Sequence, residues 1–180
     1  MSINDVKTKY GIVRGTAGGA DNTVFKGIPF AKPPVGDLRF CAPEEPDSWE
    51  GILDCSSFKD AGIQYRKKRT MQGSVLKMGS RTGEKKMDLN PIKNPIPATF
   101  SEDCLYLNIW TPAKSAGEKL PVLVWTFGGG YQWGYTSEME FDGERLASRG
   151  IVVVSVAYRL AAFGFLAHPD LTRAPSSGRK

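Results

Sequence analysis

Residue types that define several common classes of site are scarce in this chain. Its 180 residues include one histidine and three cysteines, and their spacing does not suit a zinc site. The sequence has no N-x-[ST] sequon, no apolar run of about 18 residues, and no apolar signal core in its opening MSINDVKTKYG. These absences predict a chain with no metal, no membrane span, reduced thiols and a cytoplasmic location.

The net charge of +5 raises the question of nucleic-acid binding. Residues 65–88 hold eight basic and two acidic residues, so this one segment carries the whole positive excess. It lies in a longer basic and proline-rich stretch, 65–100, which is predicted to be a loop inserted in a single domain. Because 65–88 contains one aromatic residue, Tyr65, we expect a solvated loop and no nucleic-acid partner. A patch that contacts phosphate is the alternative.

Apolar patterning predicts short strands and one crossover. The strands are expected at 10–15, 23–31, 104–112, 121–127 and 151–158, with an extended proline-rich stretch at 32–49. Residues 138–150 carry helix signals, with Asp142 as N-cap and Gly150 at the C′ position. A strand, a glycine loop, a helix and a second strand make a βαβ unit. The expected fold class is α/β, with a small antiparallel element followed by a mostly parallel sheet.

Three glycines, Gly128 to Gly130, follow the predicted strand 121–127. About 0.24 such triplets are expected by chance at this composition, so their placement is the informative feature. A dinucleotide fingerprint requires glycine where Trp133 stands, and a P-loop requires lysine where Tyr135 stands. An oxyanion hole fits better, because consecutive glycines adopt positive φ and let a substrate approach backbone N–H groups.

Four blocks of sequence, in family order, resemble the type-B carboxylesterases, which include the cholinesterases and the non-catalytic neuroligins. The blocks are 25-FKGIPFAKPPVGDLRF-40, 101-SEDCLYLNIWTP-112, 125-WTFGGGYQWG-134 and 151-IVVVSVAYRLAAFGFL-166. The resemblance covers most of the chain and leaves out 65–100 and the last ten residues. It implies the N-terminal part of an α/β-hydrolase fold over residues 1–180. It also implies a carboxylesterase-type hydrolase that acts on a small-molecule ester by serine acyl transfer, without a cofactor.

The resemblance assigns roles to the residues around the glycines. By comparison with the family, the backbone N–H groups of Gly129 and Gly130 are expected to donate to the oxyanion. Gly128, Tyr131 and Trp133 are candidates for lining the substrate pocket. Core packing is the other interpretation of the two aromatic residues, and it is the favoured one for Trp125 and Phe127.

The resemblance also implies two contacts that stabilise the structure. Arg39 is expected to form a structural ion pair with Glu102, which would tie the opening segment to the strand that starts at 104. In secreted members the cysteine at Cys104 pairs with an earlier cysteine, and this chain has Gly62 at that position. Free thiols are therefore expected, as in an intracellular or microbial-type member.

The chain departs from the family pattern because it contains no G-x-S-x-G elbow for the nucleophile. Its one histidine, His168, comes before the expected position of the serine and is predicted to be a structural loop residue. The nucleophile, acid and histidine are expected beyond residue 180, so this chain alone is expected to show no more than trace ester hydrolysis.

Two further expectations concern partners. The strand at 151–158 is expected to leave an unpaired apolar sheet edge, which would bind the remainder of the esterase chain or a second copy. The alternative function is a non-catalytic, partner-binding or adhesion relative. The absent sequons, signal peptide and partner cysteine argue against it.

Overall fold

The computed structural model describes residues 3–19, 21–64 and 99–173. The predicted loop at 65–100 and its basic segment therefore lie outside the described residues, apart from residues 99 and 100. The strands are β1 (Asp5–Lys7), β2 (Ile12–Arg14), β3 (Thr16–Ala17), β4 (Thr23–Pro29), β5 (Ile52–Asp54), β6 (Ala61–Gly62), β7 (Phe100–Ser101), β8 (Tyr106–Thr111), β9 (Val122–Thr126) and β10 (Val152–Val156). The helices are α1 (Glu144–Ala147), α2 (Ala161–Phe165) and α3 (Pro169–Arg173), with 3-10 turns at Gly36–Leu38 and Met139–Phe141.

A five-stranded sheet in the order β3-β4-β8-β10-β9 carries the glycine loop. β10 pairs antiparallel with β8 and parallel with β9, in a register that runs from Val152↔Val122 to Val156↔Thr126. β3 with β4 and β4 with β8 are antiparallel pairs. The sheet that was expected to be mostly parallel is thus mixed in the described residues, because a crossover through a helix joins only β9 to β10.

Two smaller sheets flank the first. β2 pairs antiparallel with β1 and parallel with β5. β6 pairs parallel with β7, which sets Ala61 opposite Phe100 and Gly62 opposite Ser101. This pairing brings together the chain before residue 65 and the chain after residue 98.

The crossover from β9 to β10 packs closely on the sheet. The helix predicted over 138–150 is a 3-10 turn followed by the four-residue α1. The N-cap of α1 is Gly143 and not the predicted Asp142, which lies one residue earlier and whose Oδ1 accepts the N–H of Glu144 at 2.8 Å. A Cβ at Gly143 would lie 2.9 Å from the Trp110 ring, so glycine permits this approach. The buried core here consists of Val24, Trp110, Ala147 and Val153.

In the part of the chain that the structure describes, the five-stranded sheet ends at β3 on one side and at β9 on the other, so the prediction of an edge at 151–158 was wrong. β10 lies between β8 and β9, since the crossover returns the chain to the inner side of β9. Val122 and Val124 are 60% and 61% exposed, and Leu123 and Trp125 are 41% and 44% exposed. β9 is therefore apolar and accessible on both faces, whereas apolar residues on both faces are typical of an interior strand.

Within the described part of the chain, no helix has the length and apolarity needed to cross a membrane.

Candidate functional site

The loop from Phe127 to Gly134, here called the glycine loop, leaves the carboxyl end of β9 in an unusual backbone conformation. Gly129 has φ +131°, Gly130 has φ +62° and Tyr131 has φ +62°. Glycine adopts such angles without steric cost, whereas the left-handed region costs another residue about 1–2 kcal/mol. Tyr131 is held there by its carbonyl, which accepts the N–H of Ala161 at 2.7 Å.

The three glycines differ in the space around them. A Cβ added at Gly129 would overlap the carbonyl of Trp133, whereas Gly128 and Gly130 have open space where a Cβ would be. Gly129 is therefore required both by its φ and by the close approach of the backbone at Trp133. At Gly130 only the positive φ favours glycine.

The glycine loop offers backbone N–H groups as hydrogen-bond donors. Among the described residues, no protein acceptor takes a hydrogen bond from the N–H of Gly129 or of Gly130. Gly129 is partly buried and Gly130 is exposed. Adjacent backbone donors of this kind can bind a negatively charged oxygen without a charged side chain.

Aromatic rings surround the loop on its exposed side. Tyr131 and Trp133, the candidate pocket residues, are 62% and 59% exposed. Tyr131 lies 4.5 Å from Phe165 between ring centroids. Of the two residues predicted to pack in the core, Phe127 is buried, whereas Trp125 is half exposed on β9. That outcome for Trp125 follows from the position of β9 at the sheet edge.

Two side chains that sequence reasoning did not select hold the ends of the loop. The hydroxyl of Tyr158 donates to the carbonyl of Phe127 at 2.6 Å, and the two rings stack at 4.5 Å. Burial raises the pKa of Tyr158, which keeps this donor protonated. At the other end, the side-chain amide of Gln64 is hydrogen-bonded to Gly134. Both contacts join residues far apart in sequence, so no local motif indicates them.

Arg39 and Glu102 form a bidentate ion pair. Arg39 Nε lies 2.5 Å from Glu102 Oε2, and Nη2 lies 2.6 Å from Oε1. The side chain of Glu102 is 16% exposed and that of Arg39 is 44% exposed. The hydrogen bonds from Arg39 lower the pKa of Glu102 despite the opposing effect of burial. Arg39 follows the 3-10 turn Gly36–Leu38, and Glu102 lies before β8. The ion pair therefore stabilises the scaffold and is not part of the glycine loop.

The lowered pKa of Glu102 predicts a pH-dependent contribution to stability. A carboxyl whose pKa is lowered by folding stabilises the folded state above its unfolded pKa, and this contribution is lost as pH falls through the folded pKa. The measurement is the midpoint denaturant concentration at pH 7 and at pH 3. We expect the midpoint to fall less between these two pH values in Glu102→Gln than in the unmodified chain. The control is Glu118→Gln, which removes a carboxylate from the exposed turn at 114–118. An equal pH dependence in all three proteins would contradict this role.

Cys104 lies beside Gly62, as the resemblance implies for the position of the missing cysteine. A Cβ built on Gly62 would be 3.4 Å from Cys104 Sγ and 3.9 Å from Cys104 Cβ. In the described structure Cys41, Cys55 and Cys104 are free. Burial raises the pKa of Cys55 and Cys104 to about 11, so neither is a reactive thiolate near neutral pH.

His168 lies at an exposed turn between α2 and α3, where its Nδ1 accepts the N–H of Asp170 at 3.3 Å. This position agrees with a structural role at the start of α3. In the ranges that the structure describes, no three His, Cys, Asp or Glu side chains are placed to hold a metal ion.

The mixed sheet, with its parallel pair of β9 and β10 and a glycine loop at the carboxyl end of β9, agrees with the N-terminal portion of an α/β-hydrolase fold. The family model described as the carboxylesterase family matches residues 2–175. This chain belongs to the carboxylesterase family.

Individual relatives agree with this assignment. The chain is 40% identical over 171 residues to the fumonisin B1 esterase of Sphingopyxis macrogoltabida, covering 95% of this chain and 27% of that protein. It is 40% identical over 169 residues to the para-nitrobenzyl esterase of Bacillus subtilis, covering 92% and 29%. The solved carboxylesterase EST55 of Geobacillus stearothermophilus matches with a TM-score of 0.69 at 38% identity, covering 91% of this chain and 28% of that one. The chain thus spans little more than a quarter of the length of these relatives.

Proposed function

We propose that this chain supplies the oxyanion-binding segment of a carboxylic ester hydrolase that acts by serine acyl transfer. The observation that carries the proposal is the conformation of the glycine loop. Gly129 and Gly130 adopt positive φ at the end of β9, and their N–H groups donate to no acceptor among the described residues. Membership of the carboxylesterase family supports an ester as the substrate.

The chemistry assigned to the loop follows from the reaction. Attack by a serine hydroxyl on an ester carbonyl converts that carbonyl oxygen into an oxyanion. Fixed N–H donors stabilise the oxyanion more than the neutral carbonyl, so they lower the barrier and do not merely bind substrate. Gly129 and Gly130 would provide two such donors. The serine and its general base would come from polypeptide outside these 180 residues, since the chain has no G-x-S-x-G sequence.

The pocket residues belong to the same proposal. Tyr131 and Trp133 follow the donors directly and expose most of their side-chain surface. Aromatic side chains at the mouth of an apolar site bury the surface of the substrate, and a few polar groups fix the orientation of the substrate. We assign Tyr131, Trp133 and the open backbone at Gly128 to contact with the acyl or alcohol part of the ester.

A chimaeric enzyme tests the proposal. Residues 1–173 would replace the matching segment of the Bacillus subtilis para-nitrobenzyl esterase, whose remaining sequence provides the other parts of the site. With p-nitrophenyl acetate we expect turnover by the purified chimaera, and a stoichiometric burst if deacylation is slower than acylation. The 180-residue chain alone should release no burst.

Two controls accompany this experiment. The same chimaera with its nucleophilic serine changed to alanine should lose turnover, and the parent esterase calibrates the assay. A chimaera that is folded by circular dichroism but inactive would overturn the assignment of the glycine loop. A burst from residues 1–180 alone would show that a nucleophile lies within this chain.

A further inference from the structure

The far end of the glycine loop is fixed by one side chain from another part of the chain. Gln64 lies two residues after the end of β6 and is 70 residues from Gly134 in sequence. Its Nε2 donates to the carbonyl of Gly134 at 3.0 Å, and its Oε1 accepts the N–H of Gly134 at 2.9 Å. A side-chain amide that both donates to and accepts from one residue satisfies both backbone polar groups of that residue.

Gln64 is itself fixed to the scaffold. Its Nε2 also donates to the carbonyl of Gly62 at 3.1 Å. Gly62 is buried in β6, which pairs with β7. The three hydrogen bonds therefore connect Gly134 to a paired strand.

Gly134 can be held only through its backbone. It is buried, it has φ +125°, and a Cβ there would lie 2.5 Å from the Phe127 ring. Any side chain at 134 would therefore push apart the two ends of the glycine loop. The neighbouring Gln64 amide supplies the hydrogen bonds that the backbone of a buried residue needs.

The position of Gly134 is transmitted to the donors by direct contact. Trp133 precedes Gly134, and its carbonyl lies against Gly129 so closely that a Cβ at Gly129 would overlap it. In addition, the N–H of Gln132 donates to the carbonyl of Gly129 at 3.2 Å. A displacement of Gly134 would therefore move Trp133. The backbone N–H groups of Gly129 and Gly130 would then lose the contacts that fix their position.

We propose that Gln64 is a positioning residue for the oxyanion donors. It acts through Gly134 and Trp133 and does not touch substrate. The inference rests on the proposed function of Gly129 and Gly130, but the contact that it invokes can be measured without catalysis. The role needs an amide side chain. A glutamate at position 64 could still accept the Gly134 N–H, but its carboxylate could not donate to the carbonyls of Gly62 and Gly134.

Amide hydrogen exchange in the 180-residue chain tests the contact. We expect Gln64→Ala to speed exchange of the Gly134 N–H by about tenfold or more, the equivalent of one lost net hydrogen bond. Gln64→Glu should preserve part of that protection, because its carboxylate can still accept from Gly134. The control is Glu50→Ala, which removes an exposed side chain just before β5 and outside the glycine loop. Unchanged exchange at Gly134 in Gln64→Ala would overturn the proposal.

The chimaeric esterase tests the consequence for catalysis. Gln64→Ala should lower kcat by about tenfold or more with little change in KM, because the donors act on the transition state. The kcat of Gln64→Glu should fall between those of Gln64→Ala and the unmodified chimaera, and the kcat of Glu50→Ala should match that of the unmodified chimaera. This comparison also covers the case in which the isolated Gln64→Ala chain fails to fold.

The two failures are distinguishable. If Gly134 exchanges faster but kcat is unchanged, Gln64 holds Gly134 without positioning the donors, so the positioning role is wrong and the proposed function stands. If Gly134 exchanges faster but the folded, unmodified chimaera is inactive, the contact exists and the proposed function is wrong. If the chimaera is active and neither exchange nor kcat responds to Gln64→Ala, the proposed function stands and the positioning role is wrong.

Discussion

Replacing Gly129 by alanine in the chimaeric esterase should lower kcat/KM by about 10²- to 10³-fold, the usual loss for one oxyanion donor. A Cβ at this position would overlap the carbonyl of Trp133, and alanine disfavours φ +131°. The backbone at Gly129 must therefore move, which takes its N–H away from the oxyanion. The measurement is steady-state hydrolysis of p-nitrophenyl acetate.

Two variants provide the comparison for Gly129→Ala. Gly117→Ala makes the same substitution in a distant turn with open space and no positive φ, and it should leave kcat/KM unchanged. Gly130→Ala also has open space but must adopt φ +62°, so it should lose less activity than Gly129→Ala. Equal activity of Gly129→Ala and Gly117→Ala would contradict the role of Gly129 as an oxyanion donor.

Replacing Gly62 by cysteine should create a disulfide with Cys104 and raise the free energy of unfolding by about 4 kcal/mol for a closed loop of roughly 40 residues. The Cβ–Cβ separation of 3.9 Å lies within the range that disulfides adopt. Gly62 has no positive φ, so a side chain is compatible with its backbone. Chemical denaturation with and without reductant measures the gain.

Two observations would check that a disulfide explains the gain. After unfolding without reductant, an alkylating agent should label only Cys41 and Cys55, and Gly62→Ser should not be stabilised by oxidation. Because burial raises the pKa of Cys104 to about 11, oxidation of the folded, reduced variant should be slow at neutral pH and faster as pH rises. Labelling of Cys104 in the oxidised variant would contradict the prediction.

Local sequence patterns predicted those features of the fold that depend on neighbouring residues. Apolar patterning located β4, β8, β9 and β10 because each strand has a contiguous run of residues that suit a sheet. The run Gly128 to Gly130 predicted a backbone that needs glycine, and Gly129 and Gly130 have positive φ. The family blocks placed Arg39 and Glu102 together, and the structure has them in contact.

Features that depend on the order of strands in the sheet could not be predicted from local sequence patterns. The edge was predicted at 151–158 because the neighbouring strands were expected further along the chain, whereas the crossover places β10 between β8 and β9. The side chain of Gln64 contacts Gly134 only because β6 lies beside the end of the glycine loop. No periodicity or spacing encodes a hydrogen bond between residues so far apart, and a single polar residue after a two-residue strand carries no local signal.

We expect the exposed β9 to make self-association of this chain depend on protein concentration. From Val122 to Phe127 the chain has six residues without charge, proline or glycine, a composition that favours steric-zipper packing between molecules. Pairing of β9 with another molecule is second order in protein, whereas covering it with a segment of the same polypeptide is first order. We therefore expect dilution to favour the monomer of this chain and higher concentration to favour pairing of β9 between molecules.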